Sequence, residues 1–171
     1  LNLANIVDTI WQSQMSAGDS AFIAPDGTSD IIIKVNSSGI GIFLCGVMTK
    51  SISFKVDENV NYFGIRFKPG VLNLFLKIGH HNNQLISIDQ FFSSRNQIED
   101  LVSDQSKNFF KIEKLIFDEL LKMIDEDEFR RKIQALNEYS KFQYGEVSVL
   151  AERMGISRRQ YCNRFKQYLG Y

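Results

Sequence analysis

The stretch VSVLAERMGISRRQYCNRFKQYLG, Val147 to Gly170, reads as two short helices joined by a tight turn. Gly155 follows the run Val147 to Met154 and stands where a helix end needs a residue able to adopt positive φ. Ser157 is a good N-cap, and Gln160, three residues on, completes the S-x-x-Q form of the capping box. Ile156 and Tyr161 occupy the N′ and N4 positions of a hydrophobic staple, which fixes the angle at which the second helix leaves. A helix stop, a short turn and a strong helix start thus fall within a few residues.

On the second helix Tyr161, Phe165, Tyr168 and Leu169 form one apolar stripe, spaced to face the first helix. Roughly opposite lie Arg159, Cys162, Asn163 and Lys166, with Arg158 and Arg164 flanking the stripe. A guanidinium forks onto guanine and an amide pairs with adenine in the major groove, while basic residues at the margins suit phosphates. Arg158, Arg159, Cys162, Asn163, Arg164 and Lys166 are therefore the candidate DNA-binding residues. Charge alone favours a solvated surface helix with no partner; the turn chemistry favours DNA.

The pattern Leu150-Ala151-x-x-x-Gly155-Ile156-Ser157-x-x-x-Tyr161-x-x-Arg164-Phe165 resembles the first helix-turn-helix of AraC/XylS-type bacterial transcription regulators. Tyr161 stands where that family often has leucine, and Asn163 where it often has arginine, so no base sequence is carried over. The family's DNA-binding unit holds two such motifs joined by a long helix. This chain stops at Tyr171, where the second would follow, and the resemblance therefore reads it as a truncated chain or a proteolytic remnant.

Two further phrases carry the resemblance toward the N-terminus. Pro25-Asp26-Gly27-Thr28-Ser29-Asp30-Ile31-Ile32 and Gly64-Ile65-Arg66-Phe67-Lys68-Pro69-Gly70 resemble motifs of a domain found ahead of the AraC-type unit, with Gly46 and Thr49 between them also in place. The fold class expected is α+β: an N-terminal antiparallel β sandwich or half-barrel (cupin-like) with packed helices, followed by an all-α helix-turn-helix segment. The domains expected are 1–125, for sensing or dimerisation, and 126–171, a partial DNA-binding unit.

Composition agrees with a soluble globular protein: 44% apolar and 23% charged over 171 residues. No apolar run approaches the ~20 residues of a membrane helix, and the opening LNLANIVDTIWQS carries no basic leader, so a cytoplasmic protein without membrane association is expected. Cys45 and Cys162 are expected as reduced thiols in different units. The net charge of zero hides a split: residues 130–171 hold nine Lys+Arg against three Asp+Glu, and the preceding 129 hold eleven against seventeen. Such asymmetry fits a basic nucleic-acid reader on an acidic domain.

Leu3, Ile6, Val7, Ile10 and Trp11 are spaced as a short amphipathic helix, with Trp11 read as a core anchor rather than a ligand platform. From Ala21 to Phe67 turn residues punctuate Ile/Val/Phe-rich runs, predicting strands near 20–24, 29–35, 40–46, 51–56 and 60–67. The unbroken Ile31-Ile32-Ile33 predicts a strand covered on both faces. Asp30 and Arg66 would form a carboxylate–guanidinium pair if their strands are neighbours; otherwise both lie on a solvated face.

After Gly70, Val71 to Ile78 predicts an apolar helix capping the sheet, with His80 and His81 at its end. Adjacent histidines diverge by about 100° on a helix, and no third ligand stands at a useful spacing, so no metal is assigned. A short helix is expected from Phe91, then a polar helical turn from Asn96 to Ser103. On the helix expected from Lys107 to Ile124, one stripe comprises Phe109, Ile112, Ile116, Leu120 and Met123, with Leu115 and Ile124 alongside. A second comprises Phe110, Phe117 and Leu121. Two stripes imply two partners: the sheet and either a second copy of the chain or the helix at Phe129 to Tyr139, or the turn at Phe91-Phe92, folding back within one chain. Asp125 to Glu128 then suits the N-terminus of the next helix.

A regulator of the AraC type is the function these features favour, with double-stranded DNA, a small-molecule effector and a homodimeric partner as expected associations, and no cofactor. Enzyme readings fail: the strands contain no histidine for a cupin metal site, and two cysteines cannot supply the four zinc ligands of an Ada-like alkyl-transfer regulator. The remaining alternative is an N-terminal module that only dimerises and binds no ligand.

Overall fold

The computed structural model describes residues 6–56, 58–76, 81–103, 109–140 and 146–169; the side chains of 103, 109, 135–140 and 167–169 lie outside that description. The chain is α+β, an antiparallel N-terminal β region followed by helices.

Strands β1 (Val7–Met15), β2 (Ser20–Ile23), β3 (Ser29–Asn36), β4 (Gly39–Cys45), β5 (Ile52–Lys55), β6 (Val60–Phe67) and β7 (Leu85–Ser87) form two sheets. The larger runs β1-β6-β3-β4-β7, and β2 pairs with β5 in a separate ribbon. The five strands expected from sequence appear within a residue or two of their expected limits. Turn chemistry explains this. Asn36 Oδ1 accepts from the Ser38 N–H at 3.0 Å in the β3–β4 hairpin, and Gly39 takes φ +116°.

The helix expected over Leu3 to Trp11 is replaced by β1, and Leu3 lies outside the described residues. A bulge explains the misleading spacing. Val7 pairs with Phe67 and Thr9 with Arg66, leaving Asp8 as the extra residue. One inserted residue puts Val7 and Ile10 on the same side, so an i, i+3 pattern arises in a strand. Both pack against the main core with Ile6.

The sheet is covered on both faces, as the isoleucine run predicts. Ile31 and Ile33 belong with Ile42, Phe63, Ile65 and Phe67 to the main core, whereas Ile32 joins Cys45 and Met48 on the other face. Helices α1 (Leu72–Phe75), α2 (Arg95–Ser103), α3 (Phe109–Leu121) and α4 (Glu126–Ser140) follow, with a 3-10 turn at Asp89–Phe91 before α2. The apolar helix after Gly70 is shorter than expected, with Val71, Leu72, Leu74, Phe75 and Leu76 all buried. Ile78 and His80 lie outside the described residues; His81 Nδ1 is 3.1 Å from Gln84 Oε1.

On α3, Ile112, Ile116 and Leu120 are buried as expected. The second stripe divides. Phe117, 7% exposed, meets Phe75 edge-on at 6.0 Å and belongs to the main core, and Leu121 packs against that core; Phe110 is 83% exposed. What meets Phe117 is Phe75 of α1, rather than either segment expected to fold back. Asp125 Oδ1 caps α4 by accepting from the Glu128 N–H at 2.9 Å, as its acidic start predicts. Phe129, fully buried, stacks at 4.7 Å on Phe75, so α4 begins inside the N-terminal core.

The buried Glu119 ties α3 to the start of α2. It accepts hydrogen bonds from Ser93 Oγ (2.7 Å), the Ser94 N–H (3.1 Å) and Ser94 Oγ, and pairs with Lys122 at 3.1 Å. Burial opposes its charge, but the donors of Ser94, Ser93 and Lys122 outweigh it, and the carboxyl is lowered to about 2.

Candidate functional site

The face of the large sheet turned away from the helices forms the floor of a cavity. Alternation along each strand puts Thr9, Trp11 and Ser13 of β1, Asp30, Ile32 and Lys34 of β3, Phe43 and Cys45 of β4, and Tyr62 and Arg66 of β6 on this one face. The β2–β5 ribbon forms the roof. It is held by the Gly18 N–H to Val56 O (2.7 Å) and the Val56 N–H to Asp19 O (2.9 Å), and it presents Ala21 and Phe54 inward. The space between floor and roof, open on one side to solvent, is ≈ 870 Å³, within the range of roughly 300–1,000 Å³ typical of small-molecule sites.

Trp11, expected as a core anchor, packs on the Ile32–Cys45–Met48 cluster and also lines this cavity. Its indole rests on Gly64, its cross-strand partner. Nε1 is buried with no partner at hydrogen-bonding distance, yet it faces Asp30 closely enough to favour the ionised carboxylate.

The expected Asp30–Arg66 pair forms, because the two residues are direct partners across β3 and β6. Arg66 Nε and Nη2 donate to Asp30 Oδ1 (3.0 Å) and Oδ2 (3.2 Å), and Nη1 lies 3.0 Å from Asp26 Oδ2. Asp26 is aimed by its own turn, whose Thr28 N–H and Oγ1 donate to Asp26 Oδ1 at 3.0 and 2.6 Å. Two carboxylates therefore share one guanidinium. Desolvation raises the Asp30 pKa; Arg66 pulls it down and the Asp26 charge pushes it up. Asp26, opposed by burial but held by the Thr28 donors and by Arg66, lies below the usual range. Burial, with help from both carboxylates, pushes the Cys45 thiol up to about 12, so it stays protonated. At the far end of the floor Lys34 pairs with Glu58 at 3.4 Å.

Of these cavity residues only Asp30 and Arg66 are expected from sequence to meet, and Trp11, Asp26, Ile32 and Cys45 are singled out there for other reasons. Their signal is the every-second-residue pattern on the non-core face of each strand, usable only once the pairing is known. Among the described residues no group of three or more His, Cys, Asp or Glu could hold a metal ion, and no helix is long and apolar enough to cross a membrane.

A second candidate surface lies at the C-terminal end. Helices α5 (Val147–Arg153) and α6 (Arg158–Leu169) meet at a turn in which each expected device is present. Gly155 has φ +63° and donates to Glu152 O at 2.9 Å, while the Ile156 N–H reaches Ala151 O at 3.0 Å, a Schellman ending. The Ser157 N–H donates to Gln160 Oε1 (2.9 Å) and the Gln160 N–H to Ser157 Oγ (3.2 Å), closing the capping box. Leu150, Ala151 and Tyr161 form a small core with Val147, Met154 and Ile156 against it. Tyr161 stacks on Phe165 at 6.0 Å; the expected stripe's Tyr168 and Leu169 have side chains outside the described residues.

With Tyr161 turned inward, Arg158, Arg159, Asn163, Arg164 and Lys166 are exposed and Cys162 is half-buried. Both cysteines are free thiols. The arrangement can present a guanidinium, an amide and an ammonium along one helix face. The packing between α5 and α6 is separate from the main core, and α6 approaches α1 and α4.

Residues 1–85 match the family model described as a domain of unknown function, DUF6597. No curated protein and no solved structure matches the chain.

Proposed function

We propose that this chain is a DNA-binding transcription regulator of the AraC type, in which the N-terminal domain senses a small molecule and the α5–α6 pair reads promoter DNA. The observation that carries the DNA reading is the turn at Gly155–Ser157. Its Schellman ending and closed capping box fix α6 rigidly against α5 while leaving the side chains of Arg159, Asn163 and Lys166 exposed. The matched domain over residues 1–85 is also known in some AraC-type regulators. In this reading Arg159 and Asn163 contact base edges, Lys166, Arg158 and Arg164 contact phosphates, and Cys162 packs at the groove wall. The protein acts as a cytoplasmic homodimer and catalyses no reaction.

The cavity favours sensing over the alternative of a pure dimerisation module. A module that only dimerises has no use for a space of ≈ 870 Å³ lined by Trp11, Phe43, Tyr62 and a three-residue charge cluster.

Binding of the chain to a fluorescent DNA duplex, titrated with salt, tests the DNA reading. Arg159→Ala and Lys166→Ala should each weaken binding, and Lys166→Ala should lower the salt slope by about one. Arg159→Ala should cost ~1–3 kcal/mol of DNA binding and relax sequence preference. Unchanged binding by both variants would refute the assignment of this face to DNA.

A further inference from the structure

We propose that the cavity takes an organic cation: its ammonium group sits at the Asp26–Asp30–Arg66 end, and its apolar body lies on Trp11 and Tyr62 beneath Phe54. This rests on reading the cavity as an effector site, and it names the ligand's chemical class from the distribution of charge inside it.

The lining carries as many carboxylates as cations, but they are segregated. At one end Asp26 and Asp30 share Arg66, which leaves one negative charge in excess, and Asp30 is 6% exposed. The exposed Asp8 adds further negative potential, since it acts on Arg66 as well. At the other end Lys34 and Glu58 neutralise each other, and Glu58 also accepts from Asn36 Nδ2 at 2.6 Å. That pair sits about 13 Å from Asp30, four residues along a strand. Lys55 shares a face of the ribbon with Ser20, the face opposite Phe54, and is exposed. At the Asp26–Asp30–Arg66 end the uncompensated charge is therefore negative, while Lys55, which also lines the space, stands on the ribbon.

Asp30 is held away from water, where a negative charge attracts a cation more strongly than in solvent, and Asp26 faces the solvent side of the same cluster. An anion would face two carboxylates whose guanidinium is already engaged by both. A neutral ligand would leave the excess unbalanced. The walls agree with this. Aromatic faces favour cations, and Trp11, Phe43, Phe54 and Tyr62 all line the space. The indole rests on Gly64 at the sheet floor of this space. Thiol chemistry does not compete, because Cys45 remains protonated beside the two carboxylates.

Three probes sharing one body separate the outcomes: 2-phenylethylamine, 2-phenylethanol and phenylacetate, at up to millimolar concentration. Trp11 is the chain's one tryptophan, so its fluorescence reports occupancy, and calorimetry gives affinity. The amine should bind about tenfold or more tighter than the alcohol, with the acid weakest. Asp26→Asn, at a partly exposed position, should remove most of that preference, whereas Glu58→Gln at the other end should leave it in place. If the alcohol or the acid binds as well as the amine, or Asp26→Asn retains the preference, the cation assignment falls while the effector site stands. If none of the three alters Trp11 fluorescence or gives heat, the cation assignment falls and so does the reading of this cavity as an effector site. The DNA reading is decided separately by the duplex titration.

Discussion

Trp11 lies across Gly64 so closely that a Cβ built at Gly64 would stand 2.0 Å from Trp11 Cε2. The two are direct partners on β1 and β6, and the missing side chain on one strand is what lets the indole lie down on the other. Gly64→Ala must therefore displace the indole into the cavity or distort the sheet. A loss of about 1–3 kcal/mol is expected by urea denaturation, together with a shifted Trp11 emission maximum. An unshifted emission spectrum would show that the indole does not rest there.

Removing Arg66 leaves Asp30 buried without its cation. Arg66→Ala should cost about 3–5 kcal/mol, and the added change Asp30→Asn should recover a large part of it, because the penalty is an uncompensated charge rather than lost packing. A double-variant cycle by chemical denaturation checks this; simple additivity would contradict it.

Glu119 gives an acid-sensitive contribution. Its folded pKa of about 2 lies below the ordinary 4.5, so its charge stabilises the fold above about pH 4.5 and that stabilisation fades as pH falls toward 2. Glu119→Gln keeps an acceptor for Ser93 and Ser94 but loses the charge. The variant should be less stable than the parent by about 2–3 kcal/mol near pH 7, with the gap shrinking below pH 4.5. A gap that is constant with pH would mean that the ionised form is not what α2 binds.

Phe117 and Phe110 sit on one helix with opposite expected responses. Phe117→Ala should cost about 3–5 kcal/mol, since it empties a core position against Phe75. Phe110→Glu should leave stability within about 0.5 kcal/mol, as substitutions on a surface usually do. Sedimentation of the Phe110 variant checks at the same time whether α3 carries the proposed self-association.

The strands were legible wherever turns carried their own chemistry, as at Asp26–Gly27 and Ser37–Gly39. The capping box at Ser157 and Gln160 was legible to the atom, because every group it uses lies within four residues. What sequence misassigned depends on distant partners. The extra residue Asp8 gives β1 a helix-like spacing, and nothing local distinguishes a bulge from a helical turn. Strand β7 is three residues long, and it is defined by its pairing with β4 rather than by its own pattern. Phe117 reads as surplus until Phe75 of α1 is seen to meet it. The cavity itself is a product of register: Trp11, Ile32, Phe43 and Tyr62 come from four strands and share a face only after the sheet is assembled.

Phe129 has a bearing on where the chain can be divided. The acidic run before it looks like a natural seam, and a fragment ending there would seem to contain the whole sheet and its covering helices. Such a fragment would leave a vacancy the size of a phenyl ring beside Phe75, at a cost of about 3–5 kcal/mol, a large share of what a domain of this size commonly has to spare. Any attempt to produce the N-terminal half alone, or to graft it onto a different reader, should carry the first two turns of α4 along with it.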